Sequence, residues 1–210
     1  MIHQKGVAGG IMMKVRGRPA APRTWTPRDF EDLGSRDAVD QALGRLVKAG
    51  KLRRIGRGLY DAPRWSPILR GPAPVDLDAA IAALARRDGV RIVAEGSVAA
   101  NQLGLTNAVP ARLRYLTDGT SRTLRIGSQT IRLRHASPRK MRWSDRPAGA
   151  VVRALQWLGP DSASDPDVAL ALKRQLPDEI KRNLLRERRH LPGWMIPIAQ
   201  RIAGESMSPR

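Results

Sequence analysis

The chain contains no cysteine, so it holds no disulfide, no thiol nucleophile and no thiolate metal site. Histidine is scarce: His3, His135 and His190 are the only three, and no two stand at a metal-ligand spacing. Aromatics are few, with five Trp, two Tyr and one Phe in 210 residues. No apolar run approaches the ~20 residues of a membrane span. The amino terminus lacks the apolar core of a signal peptide, so a cytoplasmic protein is expected. Missing too are a phosphate-cradling glycine loop, a dinucleotide fingerprint and a Gly-x-Ser-x-Gly elbow. Asp161, Asp165 and Asp167 cluster, but their setting DSASDPD, between two helices, suits turns and caps better than a metal. No side chains assemble a general acid and base. Neither an enzyme nor a cofactor nor a metal is expected.

What the chain has in excess is positive charge. Lys and Arg number 38 against 19 Asp and Glu, a net charge of +19. Solubility needs far less, so a polyanionic partner is the leading expectation. The first 75 residues hold 15 basic and 6 acidic side chains, and residues 76–150 hold 13 and 6. The last 60 are closer to balance, with 10 and 7.

The stretch from Ser35 to Pro63 organises the rest. Ser35 is a good helix cap, and Asp37 suits the first turn. Val39, Ala42, Leu43 and Leu46 form one apolar stripe, flanked by Ala38 and Val47. The opposite face shows Asp37, Gln41, Gly44 and Lys48, with Arg45 at its edge. Gly50 fits a helix stop. Lys51 to Ile55 reads as a strand, Gly56-Arg57-Gly58 as a tight turn, and Leu59-Tyr60-Asp61 as the return. Before it, Trp25 and Thr26 form a short strand, and Thr26 caps a helix with Pro27 in its first turn. Two helices followed by a hairpin is the plan of a winged helix that reads duplex DNA. The expected DNA-facing residues are Ser35, Arg36, Gln41, Arg45, Lys48, Lys51, Arg53, Arg54 and Arg57. Arg36, Gln41 and Arg45 have the chemistry for base edges. Arg53 and Arg54 suit phosphates, and the wing tip Arg57 suits phosphates or the minor groove. Asp37 and Asp40 do not suit phosphate; capping, pairing with arginines, or accepting from cytosine are their options.

The segment LGSRDAVDQALGRLVKAGKLRRIGRGLYDAP, with WTPRDF before it, resembles the amino-terminal winged helix of the AbiEi-like antitoxins of bacterial type IV toxin–antitoxin systems. The likeness is specific across residues 25–63 and looser across 76–190. It implies a winged helix that binds operator DNA and represses its own operon. It also implies a second domain that counters a nucleotidyltransferase-like toxin. The glycine-rich start departs from the family's usual apolar first helix.

Residues 1–23 leave two readings open. Ile2, Ile11, Met12 and Val15 line one side of a first helix that Gly6, Gly9 and Gly10 weaken. Lys14, Arg16, Arg18 and Arg23 form either a basic arm along a phosphate backbone or a plain linker. Residues 64–75, with three prolines and a glycine, read as a linker whose Trp65, Ile68 and Leu69 pack between domains. A helix over Asp76–Arg87 follows, then a strand over Arg91–Ala94 and a helix that Ser97 caps. Residues 112–136 alternate with period two and turn at Asp118-Gly119 and Gly127-Ser128, a small antiparallel sheet. One face of it carries Arg112, Arg114, Arg125, Arg132 and Arg134. That face is either a second polyanion surface or a face paired with nearby carboxylates. Helices over Pro147–Leu158, Asp165–Leu176, Pro177–Arg189 and Leu191–Ile202 complete the chain.

The fold class expected is α+β. A winged helix-turn-helix domain spans residues 1–63, a linker 64–75, a mixed α/β domain with carboxy-terminal helices 76–204, and a tail 205–210. The function expected is a DNA-binding repressor and antitoxin at the nucleoid, acting on double-stranded operator DNA, with inverted repeats read by two copies. Two other readings stand beside it. One is a toxin-neutralising interaction module with DNA binding secondary. The other is a basic RNA-binding factor, which the want of an aromatic platform disfavours.

Overall fold

In the computed structural model, the Val39–Leu46 stripe is the floor of an apolar cluster. Residues 6–17, 23–107 and 113–204 are described. Helix α2 (Arg36–Lys48) buries Val39, Ala42, Leu43 and Leu46, and Ser35 Oγ accepts the Ala38 N–H at its start. Full burial of one such aliphatic side chain is worth about 1.5–3 kcal/mol. Ile11, Trp25, Phe30, Leu52 and Tyr60 close the cluster from the other elements.

Those elements are helix α1 (Val7–Arg16), strand β1 (Thr24–Trp25), a 3-10 helix (Pro27–Leu33), strand β2 (Arg53–Gly56) and strand β3 (Leu59–Asp61). The glycines do not prevent α1. They let it approach closely, since a Cβ on Gly10 would stand 3.1 Å from the Leu33 side chain. The expected helix after Thr26 is a tighter 3-10 turn, tied by Asp29, whose carboxylate accepts from Thr26 N at 2.7 Å. The three strands lie in the order β1-β3-β2, all antiparallel. Gly58 makes the β2–β3 turn at φ 65°, a left-handed conformation that glycine adopts without strain. Ile2 and residues 18–22 of the expected arm lie outside the described residues. Lys14 is helical and pairs with Asp32 at 2.5 Å, and Arg23 pairs with Asp76 at 3.2 Å.

The chain forms two compact units. The first runs through Val90 and includes Leu124–Thr130; the second holds the rest. The expected boundary after Pro63 is thus displaced. Residues 64–75 are not an irregular linker but carry a small hairpin, β4 (Trp65–Ser66) with β5 (Gly71–Pro72). Trp65, Ile68 and Leu69 on it are exposed rather than packed. Helix α3 (Leu77–Asp88), capped by Asp76, also belongs to the first unit. It buries Ile81 and Leu84, and its Arg86 and Arg87 donate to the carbonyls of Thr24 and Arg57.

The second sheet has the order β6-β7-β9-β8, from β6 (Ile92–Ala94), β7 (Leu113–Thr117), β8 (Arg122–Ile126) and β9 (Gln129–His135). Both turns fall where the sequence puts them. The sheet is nevertheless mixed rather than antiparallel: β7 pairs antiparallel with β6 but parallel with β9. The β8–β9 hairpin folds past β7, so the third strand of the run, not the second, becomes the neighbour of the first.

Five helices follow the pattern of apolar stripes: α4 (Gly96–Gln102), α5 (Gly149–Ala163), α6 (Pro166–Gln175), α7 (Asp178–Arg186) and α8 (Ile196–Ala203). Val151, Val152, Leu155, Leu172, Leu184, Met195 and Ile198 form the core of the last four, while Ala99 and Ala100 of α4 pack with Ala154 of α5. Glu95, not Ser97, occupies the cap position of α4. Helix α5 breaks its geometry at Gly159 and resumes for one turn to Ala163. Asp165 caps α6, accepting from Asp167 N at 2.9 Å. No helix among the described residues is long and apolar enough to cross a membrane.

Gly149 is the tightest point of this unit, for a Cβ there would stand 1.9 Å from the Trp143 carbonyl oxygen. Gly149→Ala should therefore destabilise the protein by about 1–3 kcal/mol or more, read as a lower denaturant midpoint. A second check is electrostatic. Arg91 donates to Asp118 at 2.7 Å and to Asp145 at 2.8 Å, and the first bond holds the Asp118 carboxyl below its ordinary value of 3.8. A lowered folded value stabilises above the ordinary one and is lost as pH falls through the folded one. An NMR titration of Asp118 should show a midpoint below 3.8 that rises in Arg91→Ala.

Candidate nucleic-acid interface

Helix α2 presents a bare outer face. Arg36, Asp37, Asp40, Gln41, Gly44, Arg45 and Lys48 are all exposed, as is the cap Ser35. Nothing stands within 4 Å of where a Cβ on Gly44 would be, so the middle of this face is open to a close approach. The face is not uniformly basic. Arg36 Nε donates to Asp40 Oδ2 at 2.9 Å, one turn along. Such an exposed pair contributes only tenths of a kcal/mol to the helix. It does hold the Arg36 side chain along the helix flank, leaving Gln41, Arg45 and Lys48 as the donors of the face with no partner among the described residues.

The β2–β3 hairpin separates its arginines by role. Arg54 and Arg57 are exposed, Arg54 on the strand and Arg57 at the turn, and Lys51 is exposed just before the hairpin. Arg53 is turned inward. Its Nε and Nη2 donate to the two carboxylate oxygens of Asp61 at 2.9 and 2.6 Å, and its Nη1 donates to the Ala73 carbonyl at 3.1 Å. The Asp61 side chain is only 9% exposed, and its hydrogen bonds hold the Arg53 guanidinium above its ordinary value. Alternation along the strand explains the split. Neighbouring residues face opposite sides, so one of Arg53 and Arg54 must point away from solvent. Of the nine expected DNA-facing residues, Arg53 is therefore a structural clamp. The other eight are exposed on α2, the connection after it, and the hairpin.

The arginines of residues 112–136 do not form one free field. Arg112 lies outside the described residues. Arg125 belongs to the first unit, and its Nε donates to the Gly127 carbonyl at 3.3 Å. In the second unit, Arg114 and Arg134 share one carboxylate: Glu95 takes Arg114 Nε at 3.1 Å and Arg134 Nη2 at 2.7 Å. Arg132 pairs in register with Arg114 on the parallel strand and is exposed. Compensation by a carboxylate and residual positive charge are both present, because Glu95 is one acid among three arginines.

The second unit holds a further arginine that sequence reading passes over. Arg153 Nε donates to the Ala94 carbonyl at 2.9 Å, and burial pushes its guanidinium down to about 10. It lies off the stripe of Val152 and Leu155, one turn after Gly149, and nothing in the pattern marks it as a strand anchor. No group of three or more His, Cys, Asp or Glu side chains that would hold a metal exists among the described residues.

A family model described as a family of unknown function, DUF6088, matches residues 21–184, most of the chain. No curated protein and no solved structure matches it.

Removing the Arg53 guanidinium would strand a nearly buried carboxylate. Arg53→Ala should cost about 3 kcal/mol of stability. Arg54→Ala, on the exposed side of the same strand, should change the unfolding midpoint little. Thermal melts of the two variants, run side by side, distinguish clamp from surface.

Proposed function

The chain belongs to the DUF6088 family, and we propose that it is a winged-helix protein that reads duplex DNA and represses its own operon. The observation that carries this reading is the uncovered face of α2, followed at once by a basic hairpin. A helix with a buried stripe on one side and Gln41, Arg45 and Lys48 bare on the other suits the major groove. Its width admits one helix, and bidentate Gln and Arg side chains there discriminate adenine and guanine. The turn residue Arg57 and the strand residue Arg54 then reach phosphates or the minor groove, as a wing does. Lys51 adds to that grip. One such domain spans only a few base pairs, so two copies on an inverted repeat are the natural arrangement.

The antitoxin part of this reading rests on the resemblance of residues 25–63. On it, a nucleotidyltransferase-like toxin is the partner of the second unit, and the protein works at the nucleoid, in the cytoplasm. Trp157 and Leu170, on α5 and α6, are exposed at 46% and 43% and offer apolar anchors for a protein partner. Copurification of the product of the adjacent gene with the full chain, abolished by Trp157→Ala, is the matching experiment.

Selection from a random duplex pool tests the DNA reading. The full chain should enrich one motif. Gln41→Ala or Arg45→Ala should relax the choice at one or two positions, costing about 1–3 kcal/mol on the best site. Arg57→Ala should weaken every sequence alike and reduce the salt slope by about 1. Enrichment of no motif, with all three variants binding equally, would refute a major-groove role for α2.

A further inference from the structure

The hairpin of β4 and β5 turns its apolar side chains to water. Trp65 is 69% exposed, Ile68 93% and Leu69 58%. Three large apolar side chains exposed within five residues of one hairpin, Trp65 on the strand and Ile68 and Leu69 on the turn, are more than the single scattered exposures that need no explanation. The stem beneath them is fixed. Ala73 N donates to the Arg64 carbonyl at 2.6 Å, and the clamp residue Arg53 donates to the Ala73 carbonyl at 3.1 Å. The tip is a tight turn over Pro67–Arg70, where the Leu69 N–H donates to Ser66 Oγ at 3.3 Å. Arg70 holds φ 47°, the one left-handed non-glycine among the described residues. Such a conformation persists only where the surrounding structure fixes it.

Charge says what meets this tip. From Ala62 to Val75 there is no acidic residue, while Arg64 and Arg70 flank the apolar group and are exposed. Three side chains present a few hundred Å², short of the ~800 Å² per partner of a stable protein interface. An apolar tip between two guanidiniums matches another surface: a DNA groove, anionic at its edges and apolar between its stacked bases.

We propose that the Trp65–Pro72 hairpin is a second DNA-contacting element, a wedge that enters the minor groove. Ile68 and Leu69 part a base step, and Arg64 and Arg70 hold the flanking phosphates. Apolar wedges of this kind unstack one step and kink the duplex by about 20–90° toward the major groove. Pyrimidine–purine steps, the easiest to unstack, are the favoured points of entry. The inference rests on the DNA-binding reading above.

The probe is a duplex that the full chain selects from a random pool, carrying 2-aminopurine at successive positions and a dye at each end. The wild-type protein should raise 2-aminopurine fluorescence at one step and shorten the end-to-end distance. The Ile68→Ser/Leu69→Ser double variant, altered only at exposed positions, should enrich the same motif yet lose both signals. Arg64→Ala/Arg70→Ala should keep the motif and weaken binding with a shallower salt slope. Equal kinking by the double serine variant and the wild type overturns the wedge while leaving the α2 reading intact. A change in sedimentation of the serine variant from two copies to one, with the kink unchanged, overturns it in favour of a protein interface. Failure of the wild-type chain to select any duplex overturns both readings together.

Discussion

The Arg53–Asp61 pair is the interaction on which the first unit depends. A guanidinium with five donors meets a nearly buried carboxylate at two points and has one more donor for the Ala73 carbonyl. The planar fork does this without strain, where a lysine would supply a single point charge. Three stretches are joined by it: β2, β3 and the stem of the next hairpin. The two exposed projections of the unit, the Arg57 turn and the Trp65 hairpin, therefore diverge from a common base.

The second unit solves a different problem, that of seating α4 closely against α5 beside a core of larger apolar side chains. Ala99, Ala100 and Ala154 pack together, and Gly96 lets α4 approach the Arg153 carbonyl and Trp157 of α5, where a Cβ would stand 2.5 Å from Trp157. Its charges are economical. Glu95 answers two arginines on adjacent parallel strands, and Arg153 is satisfied by main-chain carbonyls instead of by an acid. Like charges on neighbouring strands would repel at this spacing, so the single carboxylate permits the parallel pairing.

How much of this was legible depends on the range of the interaction. The α2 stripe, its Ser35 cap and the Gly58 turn follow from neighbours within one turn or one hairpin, and periodicity reveals them. The inward turn of Arg53 was not legible, because its partner Asp61 lies eight residues away and alternation alone does not say which side is buried. Parallel pairing of β7 with β9 depends on long-range packing that no local pattern encodes. The Trp65–Pro72 hairpin was hidden by composition: prolines and a glycine read as a linker, although the same residues make tight turns. Helix α3 reads correctly as a helix. Its membership of the first unit rests on the buried Ile81 and Leu84 and on long-range partners of Arg86 and Arg87, the carbonyls of Thr24 and Arg57 and the carboxylate of Asp29, which lie 30 or more residues away in sequence. Glu95 and its arginines were legible only as alternatives, and the count of one acid for two of them was not.

On the DNA-binding proposal, the acidic residues on the outer face of α2 have a kinetic meaning. With Arg36 tied to Asp40 and Asp37 beside it, the face carries little net charge, unlike the hairpin beyond it. A protein searching a chromosome meets millions of wrong sites for each right one, and uniform attraction would detain it at every one of them. A near-neutral reading face adds little to that detention. It gains free energy only where hydrogen-bond donors and acceptors match. On such a surface, removing an aspartate would tighten grip everywhere and slow arrival at the target.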